Sequence, residues 1–372
     1  YHFTDILSIK KALLGQVIKQ MLNKKKFGAL KLYDYKPTII AEAGVNHGCN
    51  LNLALKYIKI AKKSHADAIK FQSYKAEKLV AKISPAYWDT QEEKITSQYD
   101  LFKKFDKFNL KDYKKLFLKC KREKILFMST LFDVDAVDKF DSLLKVYKVS
   151  SSDINNVPLL RKIGKKKKHT IISTGASSVS EIKFAIRTLK LPKNKLCIMH
   201  CVLNYPAKDQ YLNLNYIKTL KKKFPGYIIG YSDHAKSDSD LAVVEKAFNL
   251  GAKIVEKHFT HNKYLKGNDH YHAMSQEDLT RLNVKMLRKK IIEGKYQKDL
   301  SKEKKSILFA RRSIFAKKDI LKGEFFSEKN LITLRPGTGI KANFWDKIIG
   351  KKSKSNIMKN KMITRKDYIS HN

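Results

Sequence analysis

From Pro37 onward, short apolar runs alternate with stretches in which apolar residues recur every three or four positions. The runs are TIIAEA (38–43), DAIKFQ (67–72), ILFMST (125–130), VYKVS (146–150), HTIIST (169–174), LCIMHC (196–201), YIIGYS (227–232) and KIVEKHF (253–259). Each is long enough for a strand and too short for a helix, and most are apolar at successive positions, as strands covered on both faces should be. Between them lie helical patterns such as Leu53, Leu55, Ile58, Ala61, then Tyr113, Leu116, Cys120, then Leu241, Val244, Ala247, Phe248. Eight strands alternating with helices predict a (β/α)8 barrel over residues 37–295. One connection, Ser73 to Lys124, is overlong and leaves room for a substrate-covering loop around Ser84–Ser97. Before the barrel, residues 1–36 read as a basic amphipathic helix (Ile6, Ile9, Leu13, Leu14, Val17, Ile18, Met21, Leu22) and a connector ending at Pro37. Such a helix packs on the outside of the next domain or lies on a membrane surface. After it, 296–305 reads as a charged linker, and 306–372 as a small domain of short strands and turns.

Charge alters the picture less than its size suggests. The 372 residues carry 78 Lys and Arg against 35 Asp and Glu, a net +43. A hydrophobic fraction of 43% excludes a disordered polycation. Only nine of the basic residues are Arg, and the lysines run from Lys10 to Lys366 instead of gathering in one arm. A duplex reader relies on the Arg fork, so no specific nucleic-acid partner is expected. Four cysteines (Cys49, Cys120, Cys197, Cys201) make no disulfide framework and no zinc spacing, which fits a reducing cytoplasm. No apolar run approaches the ~20 residues of a transmembrane helix.

The chemistry gathers at the ends of the runs, where a barrel of this class builds its active site. The first ends in Glu42, the second in Lys70 and Gln72, the third in Ser129 and Thr130, the fourth in Lys148 with Ser150, Ser151 and Ser152. The fifth ends in Ser173 and Thr174, the sixth in His200, the seventh in Ser232, Asp233 and His234, the eighth in Glu256 and His258. Two lysines among hydroxyl donors describe a cup for a phosphate and a carboxylate. His234 and His258 end consecutive strands, about 4.8 Å apart in such a barrel. Two imidazoles at that spacing can share a divalent cation with open positions, which suits Mn²⁺, Mg²⁺ or Co²⁺ better than structural zinc.

These residues stand in strings that resemble the sialic acid (nonulosonic acid) synthases. The strings are IIAEAGVNHG (39–48), IKFQSYKAEKL (69–79), MSTLFD (128–133), YKVSSSDINNVPLL (147–160), ISTGAS (172–177), HCVLNYPA (200–207), GYSDHA (230–235), EKHFT (256–260), GNDHYHAM (267–274) and LRPGTGI (334–340). The resemblance implies a (β/α)8 barrel followed by an antifreeze-like (SAF) domain, in a domain-swapped homodimer whose small domain caps the partner's active site. It implies condensation of phosphoenolpyruvate with an open-chain N-acetylhexosamine, typically N-acetylmannosamine, to a nine-carbon 3-deoxy sugar acid and phosphate. Glu42 matches the family's catalytic carboxylate, and His234 and His258 its Mn²⁺ ligands. Lys70, Thr130, Lys148, Ser151, Ser173 and Ser232 match the phosphoenolpyruvate cradle, with Gln72 beside them. Tyr205 and Asp269 match residues near the sugar, and Arg335 the arginine offered to its N-acetyl group. Leu203, with Asn204 after it, stands where many members carry Asn or Ser, and Asp153 where Glu is frequent. GNDHYHAM departs from the commonest form of its loop, which leaves the precursors of legionaminic and pseudaminic acid open as substrates. A related 3-deoxy sugar-acid synthase is a further alternative. His270 and His272 are expected as loop or sugar-contacting residues and not as metal ligands.

Overall fold

In the computed structural model, residues 25–267, 269–294 and 296–369 are described. The chain divides into two units, Tyr1–Glu293 and Gly294–Asn372. The expected helix at the N-terminus lies outside the described residues. The connector after it differs from expectation: it is a hairpin of β1 (Lys26–Phe27) and β2 (Leu30–Lys31). Phe27 and Leu30, both buried, pack into the apolar interior at the N-terminal end of the barrel with Ile40, Met128, Ile171 and Ile254. The hairpin therefore plugs the end opposite the strand-end cup.

The barrel is closed and wholly parallel. Its strands are β3 (Thr38–Gly44), β4 (Ala68–Ser73), β5 (Leu126–Leu131), β6 (Val146–Val149), β7 (His169–Ser173), β8 (Leu196–Cys201), β9 (Ile228–Asp233) and β10 (Ile254–His258), and β10 pairs back onto β3. Each begins and ends within a residue or so of the run that foretold it. Side chains alternate between interior and helix layer with period two, and this parity decides which residues can meet. One interior layer is apolar: Ile40, Ala68, Met128, Val146, Ile171, Met199 and Ile254. Two residues further along, the interior turns polar: Glu42, Lys70, Thr130, Lys148, Ser173 and Glu256, each at most 6% exposed. Alternate residues such as Ile39, Ile69, Phe127, Tyr147, Ile172, Ile198, Tyr231 and Val255 pack outward against the helices.

The overlong connection holds the helices Ala76–Leu79, Gln98–Phe105 and Leu110–Glu123, with Pro85 and Ser97 bridged at the base of the intervening loop. In the second unit, residues expected as a bare linker carry a 3₁₀ turn (Leu300–Glu303) and start the helix Lys304–Phe309. The small domain pairs β11 (Ser313–Ala316) with antiparallel β12 (Leu331–Leu334) over a core of Ile314, Ile320, Phe326, Leu331, Ile348, Ile357 and Ile363. Arg335 follows β12 directly and is exposed.

Candidate active site

A cavity of about 380 Å³ opens at the C-terminal ends of the strands. Glu42, Lys70, Gln72, Thr130, Lys148, Ser151, Ser173, Tyr205, Ser232, His234 and His258 all line it. Asp269 lines an adjoining hollow together with Gln72, Tyr205 and His258. Arg335 belongs to the other unit. His200, which ends the sixth strand, points the other way: its Nε2 lies 2.7 Å from the carbonyl of Leu212. Asp233 is likewise structural, its carboxylate accepting from the buried Lys257 at 2.7 Å. Both follow from parity, since each sits one residue away from an interior position.

Glu256, which ends the eighth run with no role expected of it, organises the floor of the cup. Its Oε1 lies 3.2 Å from Lys148 Nζ and 3.6 Å from Lys70 Nζ, and Lys70 also pairs with Glu42 and donates to Thr130 Oγ1 at 2.6 Å. Two carboxylates and two ammonium groups thus share a nearly solvent-free site. Burial pushes Glu42 above the usual carboxylate range, and Lys70 does not fully offset it. Burial acts on Glu256 in the same sense, but Lys148 and Lys70 together bring it below that range. Burial alone would depress Lys70, but Glu256 and Glu42 raise it above its ordinary value. Neighbouring carboxylates whose environments drive them apart suit different tasks, one exchanging a proton and one holding charge. Gln72 Nε2 donates to Glu42 Oε1 at 3.2 Å and fixes the first of them.

The hydroxyl side of the cup comes from β6, β7 and β9. Ser151 Oγ accepts from the Gly175 N–H at 3.0 Å, whereas Ser173 Oγ is buried with no hydrogen-bond partner. Buried hydroxyls normally have partners, so an open donor beside two lysines points to an anion. Asp153 is tied by Ser150 Oγ at 2.6 Å and by Asn156 Nδ2 at 3.1 Å, and burial raises its carboxyl. The overlong loop contributes Tyr87, whose ring lies 6.1 Å from that of Tyr205.

A histidine cluster forms the opposite wall. His234 Nδ1 lies 2.8 Å from the Val202 carbonyl, a bond that sets Nδ1 as the protonated nitrogen and leaves Nε2 with its lone pair. The ring of His234 lies 5.6 Å from that of His258 and 4.2 Å from that of Tyr205. His258 Nδ1 is 3.2 Å from Asp269 Oδ2. Burial would lift Asp269, but His258 above all, with His272 and His234, holds its carboxyl well below the usual range. His272 was expected as a loop or sugar-contacting residue. It is fully buried beside His258, and both of its ring nitrogens lack hydrogen-bond partners. Such a donor set, with unmet nitrogens facing a carboxylate, fits a divalent cation.

The model of the NeuB family matches residues 57–298, and that of the SAF domain residues 311–369. The chain is similar to an N,N'-diacetyllegionaminic acid synthase of Campylobacter jejuni, 39% identical over 337 residues that cover 88% of this chain and 99% of the relative. A pseudaminic acid synthase of the same organism is 35% identical, covering 87% and 94%. Among solved structures, the N-acetylneuraminic acid synthetase of Leptospira borgpetersenii, in complex with citrate, superposes with a TM-score of 0.62 at 33% identity, covering 76% of this chain and 94% of the other.

Proposed function

From the premise that the chain belongs to the NeuB family of sialic (nonulosonic) acid synthases and carries a SAF domain, we propose that it condenses phosphoenolpyruvate with an open-chain N-acetylhexosamine and water to a nine-carbon 3-deoxy sugar acid and phosphate. The observation that carries this reading is the anion cup, with Lys70 and Lys148 buried on one floor beside the unpartnered Ser173 hydroxyl. N-acetylmannosamine is the first candidate acceptor. The 39% identity to a legionaminic acid synthase favours the hexose precursor of that acid as the second.

Lys70 and Lys148 hold the phosphate and carboxylate of the enolpyruvate, with Thr130, Ser151, Ser173 and Ser232 donating to its oxygens. Carbon 3 of the enolpyruvate forms the new bond to the aldehyde carbon of the sugar as the C=O π pair moves to the aldehyde oxygen, which takes up a proton to become the product's hydroxyl, leaving carbon 2 electron-poor. Water adds to carbon 2, and the phosphate departs with the bridging oxygen as that C–O bond breaks. Glu42, with its raised proton affinity and its orientation fixed by Gln72, takes the proton of this water. Lys70 and Lys148 then neutralise the departing phosphate. Tyr205 and Asp269 border the space left for the sugar. His234 and His258 would hold a divalent cation, Mn²⁺ with Mg²⁺ or Co²⁺ as alternatives, which when bound supplies a Lewis acid for the aldehyde oxygen. In a domain-swapped homodimer, the small domain would cap the partner copy's cup and offer Arg335 to the N-acetyl group. None of the described helices is long and apolar enough to cross a membrane, and a cytoplasmic location fits the use of phosphoenolpyruvate.

The test is phosphate release with phosphoenolpyruvate and a panel of amino sugars, followed by mass spectrometry of the product. Release that needs both substrates, with a nine-carbon acid formed, is expected. Release from phosphoenolpyruvate alone, or from none of the panel, would count against the reading.

A further inference from the structure

His272 is a buried imidazole that the reaction described above does not use. It lies in the loop after β10, on a 3₁₀ turn His270–His272 with Asp269 at its N-cap. In a 3₁₀ turn, side chains at i and i+3 eclipse, so Asp269 and His272 face the same way. That way is toward His258: the rings of His258 and His272 are 4.8 Å apart, and Asp269 reaches between them. One carboxylate oxygen is 3.2 Å from His258 Nδ1 and the other 3.8 Å from His272 Nε2. A cation with bonds of about 2.1 Å holds its ligand atoms roughly 3–4.2 Å apart. One ligand atom from each of the three residues lies within 4.8 Å of the others.

The turn is fixed before any ligand arrives. Met274 N–H donates to the His258 carbonyl at 2.8 Å, and Thr260 N–H to the Met274 carbonyl at 3.0 Å, which lashes the loop to the strand. Asp269 N–H donates to Asn46 Oδ1 at 3.1 Å, and Tyr271 Oη–H to the Tyr205 carbonyl at 3.1 Å. The two histidines of the loop differ sharply. His270 Nδ1 is satisfied 2.7 Å from Thr260 Oγ1, whereas neither nitrogen of the fully buried His272 has a hydrogen-bond partner. A neutral imidazole brings a donor and an acceptor, and leaving both unmet in the interior is costly.

We propose that His272 is a direct protein ligand of the divalent cation held at His258, with Asp269 as the carboxylate of a two-histidine, one-carboxylate set. This rests on the reading of the site as metal-dependent, and it adds His272 and Asp269 as ligands beside His258. The set has the composition that takes first-row divalent ions with open positions for a substrate oxygen.

The experiment uses Mn²⁺ alone with the full chain. Free Mn²⁺ is titrated by its EPR signal, and pulsed EPR of the bound ion registers directly coordinated imidazole nitrogen. His272→Ala and the volume-conserving His272→Gln should each weaken Mn²⁺ binding by at least about tenfold, and the nitrogen couplings should fall by one imidazole relative to the wild type. Melting curves of both variants separate ligand loss from misfolding. If His258→Ala loses the ion while His272→Gln keeps wild-type affinity and an unchanged nitrogen spectrum, His272 is no ligand and the metal reading survives. If the wild-type chain takes up no Mn²⁺ while still releasing phosphate from phosphoenolpyruvate and sugar, both this proposal and the metal reading fall.

Discussion

Replacing Glu256 by Gln removes one negative charge while keeping the shape of the side chain. In the protein, that charge sits 3.2 Å from Lys148 and 3.6 Å from Lys70, all three side chains being at most 7% exposed. At an effective dielectric constant of about 20, the contacts correspond to roughly 5 kcal/mol each before desolvation is charged against them. Glu42 still counters Lys70, so the loss falls mainly on Lys148. Breaking a buried pair from one side costs about 3–5 kcal/mol. For a barrel of this size, at about 2 °C per kcal/mol, the melting temperature should drop roughly 6–10 °C. The sign with pH follows from Glu256 being held below its ordinary value of 4.5 by Lys148 and Lys70 against the pull of burial. The wild type's advantage is full above about pH 4.5 and shrinks as pH falls further. Phosphoenolpyruvate should reverse part of the loss, because an anion between the lysines restores the missing counter-charge. Differential scanning fluorimetry with and without phosphoenolpyruvate should show a larger ligand-induced stabilisation in the variant, and calorimetry a dissociation constant about tenfold lower or better. A variant that melts within about 2 °C of the wild type and binds phosphoenolpyruvate no more tightly would refute the role given to Glu256.

Other outcomes follow from the same geometry. Glu42→Gln should lower kcat by about 10²–10⁴ while still binding phosphoenolpyruvate. In the wild type, because burial lifts Glu42, kcat/KM should rise with pH through an acid limb above 4.5, and a limb at or below 4.5 would contradict its environment. Chelation by EDTA should abolish phosphate release and Mn²⁺ restore it, whereas full metal-free turnover in His234→Ala would remove that residue from the metal site. Gly164→Ala tests the packing between the helices Val157–Lys165 and Val179–Leu189, where an added Cβ would stand 2.2 Å from the Leu189 carbonyl oxygen. Despite a helix-propensity gain of about 1 kcal/mol, the variant should lose roughly 1–3 kcal/mol in chemical denaturation, and equal or greater stability would show that the helices separate freely.

The barrel was legible because its strands are continuous apolar runs with polar ends, a pattern that needs no knowledge of what each strand touches. Parity was legible too: Glu256 and His258 are two apart and so share the interior face, while Lys257 between them faces outward to Asp233. What the sequence could not convey was which strand-end groups would pair. Glu256, on β10, meets Lys70 two strands away on β4 and Lys148 across the barrel on β6, and only closure brings them together. His200 looked as chemical as its neighbours, and the parity of β8, with Met199 interior, would have turned it outward. The convergence of Asp269 and His272 on His258 escaped for a different reason. Their side chains converge because of one 3₁₀ turn, and short turns of that kind leave little trace in hydrophobic periodicity. The hairpin Lys26–Lys31 was hidden by its own composition, since Phe27 and Leu30 are the only two of its residues that point into the barrel.

The central claim is that the cup of Glu42, Lys70, Lys148 and Glu256 forms a carbon–carbon bond and releases phosphate by cleavage at carbon. It is tested most directly by turning over phosphoenolpyruvate labelled with ¹⁸O in the bridging position in the presence of the amino sugar. The account predicts that the label leaves in inorganic phosphate, while the new oxygen on carbon 2 of the sugar acid comes from water. Label retained in the sugar acid, with oxygen from water appearing in the phosphate, would contradict it.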